Sequence, residues 1–357
     1  MEGTPSTSGV VTAHHRRPIA LGRRQVTRQD REDLEERWLV AGATRSRGAG
    51  RRNREEEPDP LRTCFERDRD RILHSRPFRR LAGKTQVFVD PADHQRTRLT
   101  HALEVAQVAT SIARAVGLNV ALVEAMALGH DCGHGPGGHA SEEAFDPYLV
   151  GGYHHAVWGA DVVLAPLNLC AETLDGIRNH SWSRPAPATP EGEVLSWADR
   201  IAYVCHDFED AAHAGIVDGE DLPLVVAKVA GTTRSRQLRT FIRAVIDTVD
   251  SCGLVGMGEE EAQALAELRR FNYRSIYTRP EAEAEAEATI AVLRALVEHY
   301  ISHPDEVPSP WSERADPARA AVIYVGGMTD RYAFGAAQRI LGLHRDELLA
   351  KRRPTPA

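Results

Sequence analysis

The chain of 357 residues carries 42% hydrophobic and 27% charged side chains, enough apolar surface for a sizeable core, which excludes a wholly disordered or fibrous protein. The net charge of −7 is unevenly divided: residues 1–57 hold 12 Arg against 9 Asp/Glu, and the remainder holds 32 basic against 42 acidic side chains. An acidic body argues against a dedicated duplex-DNA-binding domain, because such binding relies on clustered cations that neutralise phosphates.

Residues 1–58, rich in Arg, Glu, Gly, Ser and Thr, are expected to form a flexible basic arm with one short helical pattern over 28–40. The N-terminus has charges and Gly/Pro/Ser where a signal peptide needs an apolar run, and no stretch is long enough to cross a bilayer. The expectation is therefore a cytoplasmic protein with no membrane partner. Five cysteines, widely spaced and without a C-x-x-C pair, read as reduced thiols. From Leu61 onward apolar residues recur at helical spacing, which predicts an all-α fold with a helical core over 59–215 and a further helical region over 216–350 packed on it. Thr85 to Val89 is the one strand-like piece. Thr100 to Val116 places Leu103, Ala106, Ala109, Ile112, Ala113 and Val116 on one stripe, with Gly117 as a stop and Asn119 capping the next helix to about Gly129. Thr189-Pro190 opens a long apolar helix to about Gly215. Glu281 to Ala288 predicts a solvated helix start, and a last helical piece begins near Asp316.

Three of these helices carry, on them or at their ends, His101, the adjacent pair His130-Asp131, and Asp199, with His134, His139, His155 and His180 between them. Imidazoles and carboxylates together suit Mn, Fe, Mg or Zn. Adjacent His130 and Asp131 reach one ion only where a helix ends and the backbone turns, and Gly133, Gly135, Pro136, Gly137 and Gly138 supply that turn. A lone histidine is more often an ordinary core or surface side chain; four such ligands punctuating three core helices form a pattern.

Arg98-Leu-Thr-His101-Ala-Leu-Glu, Gly129-His130-Asp131-Cys-Gly-His134-Gly-Pro-Gly-Gly-His139 and Trp197-Ala-Asp199-Arg-Ile-Ala-Tyr203 resemble the HD-domain superfamily, specifically its bacterial deoxyguanosine triphosphate triphosphohydrolase-like branch. Phe78-Arg-Arg-Leu, Lys84-Thr-Gln and Gly327-Met-Thr-Asp-Arg-Tyr extend the likeness over about residues 61–337. The resemblance implies an HD-domain helical core and a hydrolase that releases inorganic triphosphate from a deoxynucleoside triphosphate. It also implies one divalent ion (Mn, Mg or Fe) held by His101, His130, Asp131 and Asp199, and His139 and Glu142 as a catalytic pair, their i, i+3 spacing allowing contact. His155 would lie near the reacting phosphate. Tyr203 would pack on the deoxyribose, Asp207 and Gln86 would bond its 3′-hydroxyl, and Arg98 and Arg200 would hold phosphate oxygens. Homo-oligomers are common in such a family.

Gly137 stands where most relatives have Phe, Ala156 where they have Asn, and Cys132 where they have Leu. Two rivals arise. One is a two-metal HD phosphodiesterase or oxygenase, for which His155 and His180 occupy suitable places. The other is a non-catalytic nucleotide sensor or weak single-stranded nucleic-acid binder, against which an intact His139 and Glu142 argue.

Overall fold

The computed structural model describes residues 4–5, 11–12, 21–22, 24–88, 95–308 and 316–343. Among them the strands amount to one short antiparallel pair, β1 (Thr4–Pro5) with β2 (Val11–Thr12), and the fold is all-α. The helices are α1 (Arg28–Trp38), α2 (Cys64–Leu73), α3 (Arg76–Arg80), α4 (Arg98–Val116), α5 (Val120–Gly129), α6 (Ala140–Phe145), α7 (His155–Trp158) and α8 (Ala171–Asn179). They continue with α9 (Pro190–His213), α10 (Leu224–Val229), α11 (Arg234–Cys252), α12 (Glu259–Asn272), α13 (Pro280–Ser302), α14 (Pro317–Gly326) and α15 (Asp330–Leu341).

Local chemistry sets the boundaries that matter for the site. Gly117 ends α4 in the left-handed region at φ +73°, which only glycine adopts at little cost. The Asn119 side chain accepts the Leu122 N–H at 3.2 Å to start α5, and Thr189 accepts the Gly192 N–H at 3.1 Å ahead of α9, whose first residue is Pro190. Asp316 caps α14 in the same way. Glu281 to Ala288 lies in the first half of α13, as its composition predicts.

Helices α4, α5 and α9 pack against α2, α8 and α11 around buried Val105, Ile112, Leu122, Met126, Leu195 and Ile201. A second cluster, with Phe145, Leu293, Leu296, Val322 and Val325, joins α6 to α13, α14 and α15. Leu103, expected on the buried stripe of α4, is instead 48% exposed, because it shares a helix face with exposed Gln107 and Arg114.

Two further expectations meet a different arrangement. Within the segment read as a flexible arm, residues 24–58 lie against the helical body. Glu35 of α1 accepts from the Ser46 N–H at 2.6 Å and from Asn119 Nδ2 at 3.2 Å. Glu191, fully buried at the start of α9, accepts from Thr44 N, Thr44 Oγ1 and Asn119 N. Buried carboxylates need donors, and residues 44–46 provide them. Residues 85–88 form no strand: Thr85 makes a single bridge to Thr97, and its N–H turns to Asp330 instead of a ladder. Val89 lies outside the described residues. Among the described residues no helix is long and apolar enough to cross a membrane.

Candidate active site

The ends of α4, α5 and the middle of α9 converge on one point. His101 Nε2 lies 3.1 Å from Asp199 Oδ1, and His130 Nε2 lies 3.7 Å from the same oxygen and 3.5 Å from Asp131 Oδ1. His101 Nε2 and Asp131 Oδ2 are 4.0 Å apart. Asp131 follows His130 just beyond the last turn of α5, where the chain leaves the helix and both side chains face the same space.

The fit of this set to a divalent cation rests on the tautomer of His130. Its Nδ1 is 2.7 Å from the Ala127 carbonyl, so that nitrogen carries the proton and donates, which leaves a lone pair on Nε2. That Nε2 is buried with no hydrogen-bond partner, aimed at two carboxylates. Two nitrogens and two carboxylates at these separations match a site for a borderline or hard ion. Burial alone would push the Asp131 carboxyl up; the Arg98 guanidinium, 2.6 Å away, with His130 and His134, outweighs it and holds Asp131 well below the usual range. Asp199 is held low in the same way, with burial opposed by His101 and His130.

A second cluster of His134, His139, Glu142 and His155 lies beside the first. The expected contact between His139 and Glu142 is not the one formed. His139 precedes the first residue of α6, and Glu142 turns to His155, whose Nδ1–H donates to Glu142 Oε1 at 2.8 Å. Glu142 sits at about 2, with burial outweighed by its bonds to His155. The His139 ring opens onto the cavity but is otherwise enclosed by protein; that enclosure, with the charges of Arg98 and His155, pushes it down to about 4. The His134 ring stacks on His155 with centroids 3.8 Å apart, and its Nε2 reaches Asp131 Oδ1 at 3.3 Å.

Both clusters open into a cavity of about 550 Å³, lined among others by Gln86, Arg98, Arg200, Tyr203 and Asp207. Arg98 spends Nη1 on Asp131 and keeps Nε and Nη2 buried without partners; Gln86 Oε1 is likewise buried and unpartnered. The Tyr203 hydroxyl accepts from Arg269 Nε at 2.9 Å. Asp207 is already engaged, one oxygen by Arg96 and the other by the Tyr277 hydroxyl. His206, one residue before Asp207 on α9, does not line the cavity, and its Nδ1 bonds the Ala202 carbonyl.

Several contributors carried no role in the triphosphohydrolase reading of the sequence. His180, at the end of α8, has Nδ1 2.8 Å from the Ile177 carbonyl and Nε2 3.3 Å from His155 Nε2. Lys84, fully buried, donates to the carbonyls of His134 and Gly326. Asp330 accepts from Thr85 N and from Gly137 N. Arg96 and Tyr277 had no periodicity or motif that distinguished them from surface and core residues. Gly137 sits at φ +72°, and a Cβ there would lie 2.4 Å from Thr289 Cγ2, so any larger residue at this turn would strain the backbone and displace Thr289.

The HD-domain family model matches residues 98–204, and the phosphohydrolase-associated domain model matches residues 255–339. A deoxyguanosinetriphosphate triphosphohydrolase-like protein of Caldanaerobacter subterraneus is 42% identical over 86% of this chain and 93% of its own. One of the same description from Clostridium perfringens is 40% identical over 81% of this chain and 90% of its own. A third, from Rhodopseudomonas palustris, is 34% identical over 83% and 94%. By these matches over most of its length, the chain is a hydrolase of the HD superfamily and belongs to the deoxyguanosinetriphosphate triphosphohydrolase-like family.

Proposed function

We propose that the protein hydrolyses a deoxynucleoside triphosphate at the α-phosphorus, giving a deoxynucleoside and intact inorganic triphosphate. The observation that carries this reading is the convergence of His101, His130, Asp131 and Asp199 at one wall of a nucleotide-sized cavity, with His139 and the unspent N–H groups of Arg98 facing the same space. One divalent ion, Mn, Mg or Fe, would be held by those four ligands; when bound it supplies charge for the phosphoryl oxygen and acidifies a water.

The chain's own groups account for the rest. Arg98 is pinned to Asp131 by one N–H and offers two further nitrogens to phosphate oxygens, and Arg200 also lines the cavity. His139 donates a proton to the departing 5′-oxygen; its low pKa in the free protein rises as the polyphosphate brings negative charge beside it. Glu142 orients His155 behind it. Gln86 Oε1 has free capacity to accept the 3′-hydroxyl, and Tyr203 packs against the sugar, where a 2′-hydroxyl would be left unpaired. Asp207, with Arg96 and Tyr277 on its oxygens, supports the sugar end of the cavity while sharing any further donor.

A second reading, a two-ion phosphodiesterase, draws on His155 and His180. With both Nδ1 atoms engaged elsewhere, the two Nε2 atoms face each other 3.3 Å apart with Asp131 nearby, an arrangement that could hold a cation between them. The test is chromatography of products after incubation with each of the four deoxynucleoside triphosphates and GTP, in Mn and in Mg, beside an Asp131→Ala control. Deoxynucleoside with inorganic triphosphate, absent from the control, supports the first reading; no turnover together with two metal equivalents per chain supports the second.

A further inference from the structure

The loop between α8 and α9 holds an aromatic side chain at the lip of the cavity. Trp182 is 48% exposed, lines the cavity, and lies flat under a charge: the Arg200 guanidinium carbon is 3.3 Å from the centre of its indole ring. The indole is itself fixed. Its Nε1–H donates to the Ser196 carbonyl, one turn before Arg200 on α9, at 3.1 Å, and Trp197 meets it edge-on with centroids 4.9 Å apart. The loop that carries it is tied at both ends, by His180 Nδ1 on the Ile177 carbonyl and by the Ala188 N–H on Asp175 Oδ2 at 2.7 Å.

Among the described residues Arg200 joins no salt bridge; it is half-buried, and its polar neighbour is the Tyr203 hydroxyl, within hydrogen-bonding reach. A carboxylate partner would have taken up the N–H fork. An aromatic face orients a guanidinium without consuming any of its in-plane donors, because the attraction acts perpendicular to the ring and the N–H bonds lie parallel to it. Trp182 therefore keeps Arg200 aimed while leaving for an anion the donors that the Tyr203 hydroxyl does not engage. Entropy supports the same role: a free arginine side chain gives up rotamer freedom on binding, and a stacked one has already given up much of it.

We propose that Trp182 is a positioning residue that preorganises Arg200 as the outer polyphosphate-binding arm of the cavity, so that the loop between α8 and α9 sets affinity for the triphosphate chain. This rests on the triphosphohydrolase reading for its substrate, but the anion that Arg200 takes can be measured without turnover.

The test is calorimetric titration of the purified metal-loaded chain with inorganic tripolyphosphate, using Trp182→Ala, Trp182→Phe, Trp182→Leu, Arg200→Ala and the Trp182→Ala/Arg200→Ala double variant. Metal content and thermal midpoint are recorded for each. Trp182→Ala and Trp182→Leu weaken binding by about fivefold, the size of one cation–π contact at a half-exposed site, while Trp182→Phe stays within about twofold of wild type. On the Arg200→Ala background, Trp182→Ala adds nothing further. With a deoxynucleoside triphosphate that is turned over, Trp182→Ala raises KM by the same factor and moves kcat by less than about twofold. Leucine serving as well as phenylalanine would show that the indole is only packing. A loss additive to that of Arg200→Ala, or no binding of tripolyphosphate by the wild-type chain, would equally overturn the proposal. If the titration behaves as expected but no deoxynucleoside triphosphate is hydrolysed, the substrate reading fails and the role of Trp182 stands.

Discussion

Asp330, the first residue of α15, accepts a hydrogen bond from the Gly137 N–H at 3.0 Å, across 193 positions of sequence. Its other oxygen takes the Thr85 N–H at 2.9 Å, so one buried carboxylate fastens the C-terminal helices to the glycine turn that carries His134 and His139 and to the segment that carries Gln86. The C-terminal region thus holds the site from behind. Asp330→Ala leaves two buried N–H groups unpaired, and we expect a loss of about 2–4 kcal/mol in urea unfolding. Turnover should fall at least tenfold while the metal content of the folded protein is unchanged.

Asp131 and Arg98 depend on each other. Removing Asp131 deletes a metal-type ligand and also strands a guanidinium that is 1% exposed, a loss expected at about 3–5 kcal/mol. Asp131→Ala should therefore lose bound metal and stability together. Adding Arg98→Met should restore much of the unfolding midpoint without restoring metal, which elemental analysis beside a denaturant titration will show.

His139 should be separable from the ligands. His139→Asn is expected to keep the metal and lower turnover by about a hundredfold, the effect of losing a general acid. With its proton held only weakly in the free protein, at about 4, and more firmly once polyphosphate is present, the alkaline limb of kcat should lie at higher pH than that of kcat/KM. The His139→Asn profile should lack that limb.

Lys84 gives stability an alkaline signature. Burial lowers its pKa from 10.5 to about 8, so between those values the unfolded chain binds the proton that the folded chain has released. Stability contributed at this position is therefore smallest below about pH 8 and rises with pH toward 10.5, by up to about 1.4 kcal/mol per unit. Denaturant midpoints across that range should climb more steeply for the wild type than for Lys84→Met.

Much of the protein was legible in order of residues alone, and for a physical reason: most of the candidate site residues lie at or near helix ends, and helix ends are written locally. Asn119 and Thr189 announce α5 and α9 through their own side chains, the glycines after Asp131 announce the turn, and helical spacing places His101 and Asp199 on inward faces. Pairings between distant segments were not legible. That Glu142 takes His155 and not His139, that Arg98 binds Asp131, that Asp207 is met by Arg96 and Tyr277, and that Trp182 lies beneath Arg200 each depend on how separate helices pack. Residues 24–58 show the same division: their composition is that of a solvated arm, and only partners outside the segment, the buried carboxylate of Glu191 that takes Thr44 and the Asn119 amide that meets Glu35, draw them in. Local propensity and spacing determine where each helix begins and which face it buries, whereas the partner of a buried charge is chosen by tertiary packing, because desolvation makes its nearest available donor, however distant in sequence, the one it must have.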